Sequence, residues 1–79
     1  MTVNELHTKI LSAKRFLNQE LVKLKTRNGD PSLGFREIND RMDMIHEVER
    51  IGYRNLNDRE LRKINRMLVL LDAESASSN

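Results

Sequence analysis

Apolar residues recur at steps of three and four in three stretches of this chain. The first stripe is Val3, Leu6, Ile10, Ala13, Leu17, Leu21 and Leu24, which places them on one face of a helix with about 3.6 residues per turn. Thr2 and Glu5 precede it at capping-box spacing: the hydroxyl accepts from the third amide of the helix, and the carboxylate accepts from the cap's own N–H. This helix is expected over about 3–27. The segment "NGDPSLG" that follows holds two of the three glycines and the only proline. Asn28 or Gly29 is expected to take the left-handed backbone that ends a helix. Asp30 and Pro31 read as the cap and first position of the next one.

The second helical region is expected over about 32–51 and carries two overlapping stripes. One is Phe35, Ile38, Met42 and Ile45; the other is Met44, Val48 and Ile51. They fit one helix packed on two neighbours, or two helices with a break near Asn39 and Asp40. Gly52 is expected to end the region. The third helix, about 58–73, has Asn57 as cap and Glu60 to complete an N-x-x-E box. Leu56 and Leu61 hold the staple positions. Leu61, Ile64, Leu68 and Leu71 form its buried stripe, with Met67 and Leu70 widening it. "MLVLLD" alone would pass for a strand, but it continues a capped helix. The last six residues, "ESASSN", offer no apolar face and are expected to be disordered over 74–79. The pattern predicts an all-α fold, a small three- to four-helix bundle, with residues 1–73 as a single domain.

Composition narrows this further. A chain of 79 residues buries only roughly 60% of its unfolded surface. With no Trp, one Tyr and two Phe, aliphatic side chains must carry the packing. The absence of cysteine excludes disulfides and thiolate metal sites, so a marginally stable domain is expected. The polar start "MTVNELHTKI" lacks the apolar run of a signal peptide, and no apolar segment approaches the roughly 20 residues that span a membrane. The expectation is a cytoplasmic monomer with no membrane attachment.

No constellation for catalysis is visible. There is no G-x-x-x-x-G-K-[ST] or G-x-G-x-x-G cradle for phosphates, and the serines have no histidine near them in sequence. His7 and His46 lack metal-ligand spacing and read as helix-surface or half-buried side chains. Asp40 with Asp43, and Glu47 with Glu49, read as a solvated helix face, because no loop gathers further oxygen ligands around them. Neither an enzyme nor a cofactor is expected.

Charge gives the one functional lead. The net charge of +2 is distributed unevenly. Residues 1–27 hold six basic and two acidic side chains, 28–53 hold three and six, and 54–79 hold five and four. On the third helix, Arg59, Arg62, Lys63 and Arg66 fall within roughly 100° of arc, opposite Leu61, Ile64, Leu68 and Leu71. Arg54 precedes them in the turn. Asp58 and Glu60 sit in the first turn, where the helix dipole favours them. Several cations along one track suit a phosphate backbone, whose condensed counterions they release, and arginine binds phosphate oxygens in a bidentate manner. Lys23, Lys25 and Arg27 extend the patch if the fold brings them close, and Lys9, Lys14 and Arg15 are further candidates. Two alternatives stay open: a plainly solvated face, with Arg62 and Lys63 paired to the acidic middle helix, and a face for an acidic protein partner. Tyr53 is the one candidate for base stacking, or else a residue at the core's edge. Recognition would therefore be of backbone and shape.

The stretch "YRNLNDRELRKINRM", Tyr53–Met67, resembles HRDC domains, the small helical modules at the C-termini of RecQ-type helicases. In them too a polar cap and "eL..I" lead into a late helix beside a basic surface, and Asn57, Leu61 and Ile64 stand at comparable positions. The glycine-containing hairpin that usually follows is replaced by Asn65 and Arg66. More narrowly, the chain is similar to the small proteins encoded beside the UvsW helicase in T4-like phages, which belong with recombination and repair of the phage genome. The resemblance implies an HRDC-like bundle. It also implies a non-catalytic module that binds single-stranded or branched DNA and works with a helicase or another recombination protein.

Overall fold

The computed structural model describes residues 2–27 and 33–77. They form three helices: α1 (Val3–Thr26), α2 (Phe35–Ile51) and α3 (Asp58–Ser77), with a 3-10 turn, Tyr53–Asn55, between α2 and α3. The all-α bundle expected from the stripes is present, with three helices and no strand among the described residues. α2 is continuous, with no break at Asn39 and Asp40. A single helix whose two stripes face two neighbours accounts for the pattern, and α2 does touch both α1 and α3.

The capping signals operate as spaced. The Glu5 amide donates to the Thr2 hydroxyl at 3.1 Å, and the Glu5 carboxylate accepts from the Thr2 amide. α1 ends differently from expectation. Arg27, a non-glycine residue, adopts the left-handed conformation (φ 55°, ψ 32°). Asn28, Gly29, Asp30 and Pro31 lie outside the described residues, as does Ser32. α2 begins at Phe35 with Gly34 as a cap that makes no side-chain hydrogen bond. Gly52 ends it with φ 95°, its N–H donating to the Val48 carbonyl at 2.9 Å. An added Cβ there would lie 3.2 Å from Asn55 Nδ2, so glycine is needed for both backbone and space.

The core draws on all three helices: Leu6, Ile10, Ala13, Phe16 and Leu17 from α1, Ile38, Ile45 and Val48 from α2, and Ile64, Met67, Leu68 and Leu71 from α3. Each fully buried aliphatic side chain contributes about 1.5–3 kcal/mol relative to exposure. Three sequence expectations need correction. Phe35 is 49% exposed, because it opens α2 at the edge of the stripe, and Leu33 is buried instead. Leu70 is 51% exposed. It lies about 60° from Met67, on the side of Lys63 and Arg66 and away from the core. The tail is not disordered from residue 74: α3 runs to Ser77, and Glu74 meets Arg41 of α2 at 3.6 Å. That ion pair is a contact between the last turns of α3 and α2. A second pair, Lys14 with Glu49 at 3.0 Å, ties α1 to α2.

Candidate nucleic-acid interface

The register of α3 decides which of its side chains reach solvent, and its cap fixes that register. The Asn57 side-chain oxygen accepts from the Glu60 amide at 2.8 Å, and a Glu60 carboxylate oxygen accepts from the Asn57 amide at 3.0 Å. Leu56 and Leu61 pack half-buried against the core on either side of this start. From there Ile64, Met67, Leu68 and Leu71 turn inward. Arg59, Arg62, Lys63 and Arg66 are all exposed, as is Arg54 in the 3-10 turn. Arg59 and Arg66 are about 10.5 Å apart along the helix axis, comparable to three phosphate steps of roughly 3.4 Å along one strand of a duplex.

Lys9, Arg15, Lys25, Arg27 and Arg36 share with these five the lack of an ion pair to a described residue; what sets the five apart is that four of them lie along one helix face. Among the described residues, ion pairs form between Lys14 and Glu49, Lys23 and Glu20, Arg41 and Glu74, and Arg50 and Glu47. None involves Arg54, Arg59, Arg62, Lys63 or Arg66. The acidic side chains of α2 that form ion pairs, Glu49 and Glu47, engage Lys14 and Arg50, and no described acid pairs with Arg62 or Lys63. The Arg50 contact, chiefly a hydrogen bond to its guanidinium, holds the Glu47 carboxyl below the ordinary carboxylate value. Glu60 has its own structural role in the cap.

The α1 cations proposed to extend the patch are placed differently. Lys23 leans inward: its ammonium lies 3.3 Å from Glu20, a carboxylate with 0% exposure. It neutralises a buried charge, which is strongly destabilising when left without its partner, so it leaves the candidate set. Lys25 and Arg27 are exposed at the far end of α1, where positive charge also favours the helix dipole. Neither shares a helix with the α3 cluster. The structure thus groups Arg59, Arg62, Lys63 and Arg66 on one face, with Arg54 just before it.

Tyr53 is the core-edge residue of the two alternatives. Its ring packs against His7 with centroids 5.6 Å apart and planes at 37°. Burial, with a smaller contribution from Glu49, pushes its phenol above the ordinary value. No group of three or more His, Cys, Asp or Glu among the described residues is placed to hold a metal ion, and no described helix is long and apolar enough to cross a membrane. One surface feature escaped the stripe reading. Beyond Arg66 the outer side of α3 becomes apolar, with Val69 59% and Leu70 51% exposed. Helical angles, which put both among the cations and not in the stripe, are the signal that finds them. No protein-family model, curated protein or solved structure matches the chain.

Proposed function

We propose that this protein is a non-catalytic nucleic-acid-binding module whose outer α3 face neutralises a phosphate backbone. The observation that supports this reading is the clustering of Arg59, Arg62, Lys63 and Arg66 on one exposed face of α3, with Arg54 beside it and none of the five ion-paired to a described residue. Unpaired cations on one track attract a polyanion without first having to break internal contacts. With Tyr53 occupied by His7, no aromatic platform accompanies them, so binding is through backbone and shape. The resemblance to HRDC modules extends the reading to an accessory role beside a DNA helicase in phage recombination, replication or repair.

The test is fluorescence anisotropy of labelled single-stranded, duplex and forked DNA titrated with the protein at about 50 mM and about 200 mM salt. The expected outcome is a dissociation constant in the micromolar range at the lower salt, weakening steeply at the higher. No anisotropy change at about 100 µM protein in the lower salt would overturn the reading.

A further inference from the structure

Below Arg66 the outward side of α3 carries Val69, Leu70, Ala73 and Ala76, all exposed. Glu74 is turned to Arg41 of α2, and Asp72 borders the stripe, about 40° from Ala76 and about 100° from Ala73. Along the chain the bulky pair Val69 and Leu70 comes first, and the small pair Ala73 and Ala76 follows. A stripe ordered bulky-then-small is complementary to itself when reversed. In an antiparallel pair of α3 helices crossing at Ala73, Leu70 of each copy meets Ala76 of the other and the two Ala73 methyls allow close approach. Parallel pairing would set bulk against bulk. Such a contact is isologous, the same patch used twice about a two-fold axis.

The neighbouring groove has matching charge. It occupies about 220 Å³ between α1 and α3, with Ala13, Phe16 and Leu68 among its lining residues and Lys9 and Asp72 also beside it. Lys9 and Asp72 are exposed and make no ion pair with any described residue. One cation and one anion beside the same apolar stripe is what a two-fold contact needs, because each copy then offers Lys9 to the other's Asp72.

We propose that the outer face of α3 from Val69 to Ala76 is where a second copy of this chain docks, antiparallel, as a weak two-fold dimer. About two helical turns bury less than the roughly 800 Å² per partner of a standard stable interface, so the dissociation constant lies near about 0.1–1 mM. Crossing at Ala73 leaves Arg59, Arg62 and Lys63 beyond the end of the other copy's helix. Dimer formation is thus independent of nucleic acid and is tested without it.

The experiment is sedimentation velocity on the full chain from about 5 µM to about 2 mM at about 0.15 M salt. The expected mass rises from 9.3 kDa by about half or more at the highest concentration. Leu70→Glu and Ala73→Arg, each at an exposed helix position, stay at monomer mass with unchanged helicity. Lys9→Glu and Asp72→Lys each weaken association, and the two together restore it. A parent chain that stays monomeric at about 2 mM overturns the proposal. So does an Ala73→Arg variant that associates as the parent does, or a charge swap without rescue.

Discussion

Changing Arg62, Lys63 and Arg66 together to alanine removes three of the five cations assigned to the phosphate track. For duplex DNA, each neutralised phosphate contributes about −0.9 to the slope of log K against log salt. Five contacts predict a slope of about −4.5, so affinity falls roughly 500-fold between about 50 mM and 200 mM salt. Arg54 and Arg59 alone leave a slope of about −1.8, or a fall of roughly 12-fold over the same interval. The folded state gives no reason for the triple variant to unfold. All three side chains are exposed and without ion pairs among the described residues, and alanine is the best helix former. Thermal stability should therefore stay within about 0.5 kcal/mol of the parent. Anisotropy titrations of a labelled duplex over a salt series measure both slopes, and circular dichroism checks helicity. A variant that keeps the parent's slope would show that the counterions are released elsewhere, and the assignment of this face would be wrong even if the protein bound DNA well.

Three further outcomes test the framework around the face. Gly52→Ala forces a Cβ onto backbone at φ 95° and to within 3.2 Å of Asn55 Nδ2. It should cost about 1–3 kcal/mol and lower the melting temperature by at least about 4 °C; an unchanged melting curve contradicts the turn geometry. Arg27→Gly relieves a left-handed non-glycine residue, a strain of about 1–2 kcal/mol that the extra chain entropy of glycine only partly cancels. Denaturant unfolding should show a net gain of about 0.5–1 kcal/mol, and a loss would mean that the guanidinium does more than end α1. Tyr53 is the only tyrosine, so phenolate absorbance reports it alone. Its midpoint should lie above 10.0 in the folded protein, because burial raises it, and return to the ordinary value in denaturant. A group raised on folding contributes stability that is complete below its unfolded pKa and lost as pH climbs through the folded one. Stability should therefore decline above about pH 10; a folded midpoint at or below the denatured one would mean that the phenol is not buried as the structure places it.

Where helical periodicity and capping chemistry act within a few residues, the fold was legible in the sequence. Thr2 with Glu5 and Asn57 with Glu60 form reciprocal caps at the spacing that signals them, and Ile10, Leu17, Ile45, Ile64 and Leu68 are buried on the stripes that name them. What was not legible depends on contacts between elements. The two overlapping stripes fit either one α2 facing two neighbours or two helices with a break near Asn39, and it is the packing of α2 on both α1 and α3 that separates them. Glu74, where disorder was expected to begin, meets Arg41, thirty-three positions away in sequence. The left-handed residue was sought at a glycine or asparagine because those bear it at least cost, yet the chain turns one residue earlier, at Arg27.

The same division runs through the candidate site. The α3 cations could be placed from the sequence because a capped helix with one buried stripe fixes the opposite face by geometry alone. Lys23 could not, because its direction follows from Glu20. That carboxylate lies on the inner side of α1 between Leu17 and Leu21, and once buried it draws the nearest cation toward it. A charge count treats Lys23 and Arg62 alike. Burial separates them: one compensates an internal anion, while the other stands in water with no described counter-charge. For a phosphate-binding surface that distinction outweighs net charge, because a cation already neutralised inside the protein releases few counterions when DNA arrives.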